Sequence, residues 1–145
     1  MDAITMLRED HRAVKKLMTR FDKGDDAVVP EILDALDRHA AIEEEHFYPA
    51  VKAALEEKDI VLESVEEHHV VHLLIGELRQ MTPDDETYRA KATVLVENVR
   101  HHIDEEEGEL FPQVREALGR KDLQQLAETM AASPAMQERA EPRAS

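Results

Sequence analysis

The segment His39-Ala-Ala-Ile-Glu43-Glu44-Glu45-His46-Phe47-Tyr48-Pro49 aligns without gaps on His102-Ile-Asp-Glu-Glu106-Glu107-Gly108-Glu109-Leu110-Phe111-Pro112, and this internal repeat constrains the chain more than any other feature. Asp10-His11-Arg12-Ala13-Val14 pairs more weakly with Glu67-His68-His69-Val70-Val71, and Leu17 falls on Leu74. The sequence therefore reads as one helical hairpin written twice. The two copies differ at one chemically relevant place, where His72 stands opposite Lys15.

Helical periodicity supports that reading. Leu7, Val14, Leu17 and Phe21 recur at helical spacing, Asp2 can cap the first turn, and a first helix is expected from about Ala3 to Asp22. Pro30 suits the start of a second helix with the inward row Leu33, Leu36, His39, Glu43 and Phe47. A third is expected from Asp59 to Met81, with Val61, Val65, His68, His72 and Ile75 on one side. A fourth, from Asp84 to Leu118, aligns Leu95, Val99, His102, Glu106 and Leu110. Leu123, Leu126, Ala127 and Met130 suggest a short fifth helix after Gly119. The expected fold is all-α, an antiparallel up-down-up-down four-helix bundle with a short C-terminal fifth helix, because short connections force neighbours to run in opposite directions. Residues 1–132 form the expected domain, with its core in about 5–118, and 133–145 a loose tail.

Composition narrows the function. With 33 acidic residues against 18 basic ones the formal net charge is -15, which repels phosphate backbones and anionic lipid, so neither nucleic acid nor a membrane surface is an expected partner. The absence of cysteine removes disulfides, thiolate metal sites and thiol nucleophiles. The first ten residues carry Asp2, Arg8, Glu9 and Asp10 and have no signal-peptide character, which makes a cytoplasmic location the expectation. Histidine, with eight copies, is the anomaly.

Residues four apart stack on one helix face, so His39 with Glu43, His68 with His72 and His102 with Glu106 each aim two ligand groups at one point. With His11 the inward set is His11, His39, Glu43, His68, His72, His102 and Glu106. Such groups are unfavourable to bury without partners, and metal cations suit them. Imidazole with carboxylate favours iron, with zinc, manganese and copper disfavoured but not excluded. Two ions bridged by Glu43 and Glu106 use the set better than one. If three histidines serve one iron and two the other, His72 makes the halves unequal and leaves one iron with an open position for a small ligand. In the doublet His101-His102 the repeat selects His102, with His101-x4-Glu106 as the alternative. Tyr48, whose repeat partner is Phe111, is open to three roles: core filler, hydrogen-bond donor or oxygen ligand; packing or a supporting place behind the ligands is favoured. Pro49 and Pro112 should kink or end their helices just past the ligands.

The lone His, the His-x3-Glu, the His-x3-His and the final His with a carboxylate one turn on resemble the hemerythrin-like, or HHE cation-binding, family over about residues 5–118. The Phe47-Tyr48-Pro49 and Leu110-Phe111-Pro112 segments are also similar to the family's. The resemblance implies a non-heme di-iron centre, two Fe ions with an oxo or hydroxo bridge, held by the seven residues above. The last motif, His102-x3-Glu106, departs from the His-x4-Asp of oxygen-carrying hemerythrins and is more like bacterial hemerythrin-like proteins. The implied ligands are O2, H2O2 or NO, with catalase-like redox activity or, alternatively, iron or gas sensing or storage without turnover. A monomer or weak dimer is expected.

Overall fold

The computed structural model describes the backbone of residues 1–140 and the side chains of 1–137. It is helical throughout its regular structure: α1 (Ala3–Asp22), α2 (Val29–Ile42), α3 (Tyr48–Ala54), α4 (Asp59–Arg79), α5 (Tyr88–Glu105), α6 (Phe111–Ala117), α7 (Arg120–Ala131) and α8 (Pro134–Ala140). A short 3-10 turn, Asp26–Val28, precedes α2, and two π-helical turns, Glu43–Phe47 and Glu106–Leu110, join α2 to α3 and α5 to α6.

α1 starts where Asp2 accepts a hydrogen bond from the Thr5 amide at 2.8 Å, satisfying a donor that the first turn leaves free. It ends at Lys23, and Gly24 at φ 101 makes the turn that follows. α5 begins at Tyr88 rather than the expected Asp84, because the Asp85 carboxylate folds back to accept from the Thr82 amide at 2.7 Å and holds residues 82–85 in a turn. α4 ends at Arg79 instead of Met81, and its last amides bond three residues back, Gln80 to Glu77 and Met81 to Leu78.

The inward row of α4 also differs from the expected one. Val61, Ser64, His68, Val71, Ile75 and Leu78 are buried, whereas Val65 and His72 lie on the exposed side. The sequence row preferred an apolar Val65 to a polar Ser64. The hydroxyl of Ser64 can be buried because it donates to the Ile60 carbonyl at 3.0 Å.

The core falls into two apolar clusters separated by a polar layer. One contains Val14, Met18, Phe21, Ile32, Leu36, Val71, Ile75, Leu95, Val99 and Ile103. The other contains Ile4, Leu7, Ile42, Phe47, Val51, Val61, Leu110, Phe111, Val114, Leu123 and Met130. Burying one such Leu, Ile or Phe side chain stabilises the fold by about 1.5–3 kcal/mol. Each long helix crosses from one cluster to the other and places a histidine at the crossing: Leu7, His11, Val14 on α1; Leu36, His39, Ile42 on α2; Val61, His68, Val71 on α4; and Val99, His102, Ile103, with Leu110 beyond, on α5 and its π turn.

α7 packs on α1, and α8 on α2. The loose tail expected from residue 133 is instead helical as far as Ala140. Ser133 is buried, its hydroxyl accepts from the Met136 amide at 3.3 Å, and Ala135 and Met136 pack on the second cluster. The remaining part of the expected tail, 141–145, lies outside the described residues. Among the described residues no helix is long and apolar enough to cross a membrane.

Candidate metal centre

Four histidines, one from each long helix, meet in the layer between the clusters: His11, His39, His68 and His102, each at most 6% exposed. Glu43 and Glu106, from the first residues of the two π turns, are 0% and 1% exposed and lie among them. Glu43 Oε1 is 2.9 Å from His39 Nε2 and 3.2 Å from His68 Nε2. Glu106 Oε1 is 3.2 Å from His11 Nε2, and its Oε2 is 3.1 Å from His102 Nε2. Each carboxylate thus spans both halves of the repeat.

Every histidine is held from behind by a second carboxylate. His11 Nδ1 meets Glu107 at 2.6 Å, His39 Nδ1 meets Asp10 at 2.6 Å, His68 Nδ1 meets Glu44 at 2.8 Å and His102 Nδ1 meets Glu67 at 2.7 Å. These partners follow the repeat as faithfully as the buried histidines, Glu43 and Glu106 do. Asp10 and Glu67 immediately precede His11 and His68, while Glu44 and Glu107 immediately follow Glu43 and Glu106. An imidazole that donates Nδ1–H to a carboxylate has its tautomer fixed, and its Nε2 lone pair is presented inward.

That arrangement calls for positive charge at the centre. Nε2 lone pairs facing carboxylate oxygens at 2.9–3.2 Å repel, and His11 Nε2, His39 Nε2, both Glu43 oxygens and Glu106 Oε1 have no hydrogen-bond partner despite their burial. Protons can supply part of the charge. Burial disfavours a charged ring at His39, yet Glu43 and Asp10 outweigh it and hold its pKa well above the usual value. Burial likewise acts against His102, but Glu106 and Glu67 push it up to about 10. Burial opposes ionisation of Glu106 too, but Glu43, His102 and His11 keep it well below the carboxylate range. A metal cation supplies the charge without a proton on each Nε2, and the donor set of four imidazoles and two carboxylates suits it. Within the buried layer the groups close enough to share an ion are His11, His39, Glu43 and Glu106 on one side and Glu43, His68 and His102 on the other, while Glu44, His68 and His72 form a further such group toward solvent.

The π turns explain two side chains that the sequence rows leave out, Tyr48 and Phe111. In each turn an amide bonds five residues back, Tyr48 to Glu43 and Phe111 to Glu106, and the proline that follows has no amide to continue the α-helical ladder. The extra residue brings Tyr48 over Glu43, not Glu44, and Phe111 over Glu106. Tyr48 Oη donates to Glu106 Oε2 at 2.7 Å and sits 3.1 Å from His68 Nε2 and 3.2 Å from His102 Nε2. Burial, with the charges of Glu43 and Glu106, raises its pKa well above that of a free phenol. Phe111 stacks on the His11 ring, with centroids 5.9 Å apart and planes 5° apart. The halves therefore match except that a phenol faces His68 and His102 where a plain ring faces His11.

His72 lies outside this centre. Its side chain is 42% exposed, and its Nε2 meets Glu44 Oε2 at 2.8 Å, on the solvent side of His68. The angle between positions 68 and 72 on α4 is enough to turn His72 off the buried face, and Glu44 reaches out to meet it. His101 is 68% exposed and paired with Glu105 at 2.9 Å, so the layer contains His102, the residue selected by the repeat. Of the expected set, His11, His39, Glu43, His68, His102 and Glu106 come together. Asp10, Glu44, Glu67 and Glu107 join them without having been assigned that place from sequence, and the phenol of Tyr48 takes the hydrogen-bond donor's part among the roles open to it. A narrow cavity of about 30 Å³ lies on the other side of the four imidazoles, lined also by Val14, Leu36, Ala40, Val71, Val99 and Ile103.

Comparison with known proteins agrees with this geometry. The chain is 28% identical over 145 residues to a DNA nickase of Nostoc sp. (strain PCC 7120 / SAG 25.82 / UTEX 2576), covering 96% of this chain and 41% of that protein, so it spans about two-fifths of that relative's length. It superposes with a TM-score of 0.79 on the crystal structure of a hemerythrin HHE cation-binding domain-containing protein from Mycobacterium kansasii, at 26% identity, covering 97% of this chain and 88% of that one. The model of the hemerythrin HHE cation-binding domain matches residues 2–114, and the chain belongs to that family.

Proposed function

We propose that the chain is a non-heme di-iron protein that binds O2 or reacts with a small oxidant, H2O2 or NO, at the centre between its two core clusters. The observation that carries this reading is the set of four imidazoles, each backed by a carboxylate at Nδ1, whose Nε2 atoms converge on Glu43 and Glu106. His11 and His39 with Glu43 and Glu106 would hold one iron. His68 and His102 with the same two carboxylates would hold the other, with Tyr48 Oη beside them, 3.1 Å from His68 Nε2 and 3.2 Å from His102 Nε2. Bound iron supplies redox chemistry and a Lewis-acidic place for a small ligand.

The residues do the rest. Asp10, Glu44, Glu67 and Glu107 orient the rings and raise their basicity. The cavity admits a molecule of a few atoms, and its apolar lining excludes larger polar substrates. Tyr48 holds a proton at Oη, donated to Glu106, and is the group best placed to give or take one beside the centre. On the His11 side Phe111 offers no hydroxyl, so an iron held there would have no phenol beside it. The helices, which alternate in their direction between the two clusters, are read as an antiparallel up-down-up-down bundle with α7 as the short fifth member. The net charge of -15 argues against nucleic acid or membrane partners, and against carrying over DNA nicking from the longer relative's name; the setting we propose is cytoplasmic.

Iron-loaded protein should contain two irons per chain and an absorption spectrum that azide and peroxide change. Catalase-like turnover should release O2 from peroxide faster than free iron does. A second reading, an iron or gas module without turnover, is favoured by the cavity lining, which brings no additional proton donor. Intact azide binding with no peroxide decomposition supports the second reading; neither binding nor turnover overturns both.

A further inference from the structure

The two halves of the repeat differ in what stands outside their backing carboxylates. Outside His11, Glu107 has cations for neighbours: the hydrogen bond from His11 lowers its pKa against burial, and the charges of Lys15 and Arg8 lower it further. Outside His68, the equivalent carboxylate Glu44 has His72 instead, at the position where the first half carries Lys15. A single oxygen, Glu44 Oε2, meets both His68 Nδ1 and His72 Nε2 at 2.8 Å. Lysine at that place repels a metal cation, whereas an imidazole offers it a lone pair.

Glu44 is also the most exposed of the four carboxylates behind the buried histidines. Its side chain is 38% exposed, against 28% for Glu67, 24% for Glu107 and 9% for Asp10. It stands in the wall of a solvent-open cleft of about 440 Å³, with Tyr48, Lys52, Val61 and Val65. At its other end Tyr48 reaches the centre, where Oη meets Glu106, His68 and His102. Solvent therefore comes within one side chain of the buried layer on this side. Glu67, His101 and Glu105 also lie close enough together to share an ion, but that group contains none of the buried histidines, whereas the Glu44 group contains His68.

We propose that His72, Glu44 and His68 Nδ1 form an entry site, at which a divalent first-row cation such as Fe2+ is taken from solvent and from which it passes into the buried centre. This rests on the reading of the centre as a metal site. His68 belongs to both groups, with Nδ1 facing Glu44 and Nε2 facing Glu43 Oε1 at 3.2 Å. An ion that leaves the outer group therefore keeps a ligand in common with the inner one as the His68 side chain moves. The proton on Nδ1 goes to solvent when the ion binds and returns from solvent once the ion has moved on. Imidazole and carboxylate donors suit such a cation. Glu44 and His72 are exposed, so water completes the ion's shell and holds it loosely enough to be passed on. The net charge of -15 draws cations to the surface, while Lys15 and Arg8 oppose their approach on the His11 side. The break in the repeat thus makes one half the entrance and leaves the other closed.

The test separates rate from equilibrium. The full metal-free chain is mixed rapidly with Co2+, whose visible absorption reports entry into a nitrogen and oxygen site, and the final metal content is measured after gel filtration. The native chain, His72→Ala and His72→Lys should all end with two ions per chain. His72→Ala should load about 10-fold more slowly than the native chain, and His72→Lys, which copies the first half, more slowly still. His101→Ala should load at the native rate. Full content with equal rates in the native chain and His72→Ala would overturn the entry site and leave the centre standing. Slowing by His101→Ala as large as that by His72→Ala would overturn it too, as would loss of an ion at equilibrium in His72→Ala. A native chain that takes up no metal would overturn both the centre and its entrance.

Discussion

The His11–His39 half and the His68–His102 half of the centre are built from the same parts, and they differ in one ring. Both histidines in each half donate Nδ1 to carboxylates at 2.6–2.8 Å, and both halves share Glu43 and Glu106. In one half Phe111 stacks on His11; in the other Tyr48 Oη reaches Glu106 and the two imidazoles. A duplicated scaffold sets two like pairs of imidazoles around shared carboxylates, and a single hydroxyl then makes the two sides chemically distinct. The sequence argument located the asymmetry at His72 opposite Lys15, but the packed structure turns His72 toward Glu44 at the surface.

The largest expected effect comes from removing what the halves share. Glu106→Ala deletes a carboxylate that faces both His11 and His102, and it should reduce iron from two per chain to less than one, read by metal analysis after gel filtration. Loss of bound metal also lowers the melting temperature, since a ligand held at 100 times its Kd stabilises the fold by about 2.7 kcal/mol. Next come substitutions that act on one half. Asp10→Asn weakens the orientation of His39, and Glu67→Gln that of His102, and each should lower metal affinity by roughly 10- to 100-fold in competition with a chelator. Equal loss in both halves from either substitution would show that the two ions are bound as one cooperative unit.

Tyr48→Phe makes the halves alike. Two irons should remain, with affinity lowered by no more than about 10-fold, and the two sites should become indistinguishable in azide titration. Phe111→Tyr is the reciprocal change and should add a phenol beside His11.

The smallest effect concerns the helix ends of the repeat. α1 is capped by Asp2, whereas its counterpart α4 follows Lys58 with no side-chain cap. Burial raises the Asp2 pKa, but hydrogen bonds from Thr5 and Arg115 outweigh it and leave it lowered. Its contribution is therefore present above the unfolded-state pKa near 4 and is lost as the pH falls through the folded value. Asp2→Ala should cost about 1 kcal/mol at pH 7 and less at pH 3, measured by urea unfolding.

Much of the fold was legible because apolar periodicity and duplication agree. α1 runs over the expected residues, and the rows Leu36–His39 and Val99–His102 face the core as read. Six ligand-type residues of the centre were legible for the same reason. What could not be read from a 3.6-residue period was the effect of the π turns, which advance the register by one residue at Glu43 and Glu106 and bring Tyr48 and Phe111 to the layer. Proline directly after Tyr48 and Phe111 was the available signal, read as a kink and not as a register change. The outer carboxylates were missed because acidic runs are usually solvated. Their conformity to the repeat, Asp10 with Glu67 and Glu44 with Glu107, was the clue. His72 lies apart from the buried layer, beside Glu44, because a spacing of four residues defines a face only to within the width of a helix. On α4 that face belongs to Ser64, His68, Val71 and Ile75.

Anaerobic iron titration of the metal-free chain, carried out in parallel on the native sequence and on His72→Ala, tests the central claim most directly. Two irons per chain in both proteins is the predicted result, since the buried layer is complete without His72. One iron or none in the native chain, or loss of an iron in His72→Ala alone, would contradict a two-ion centre built from His11, His39, His68 and His102 around Glu43 and Glu106.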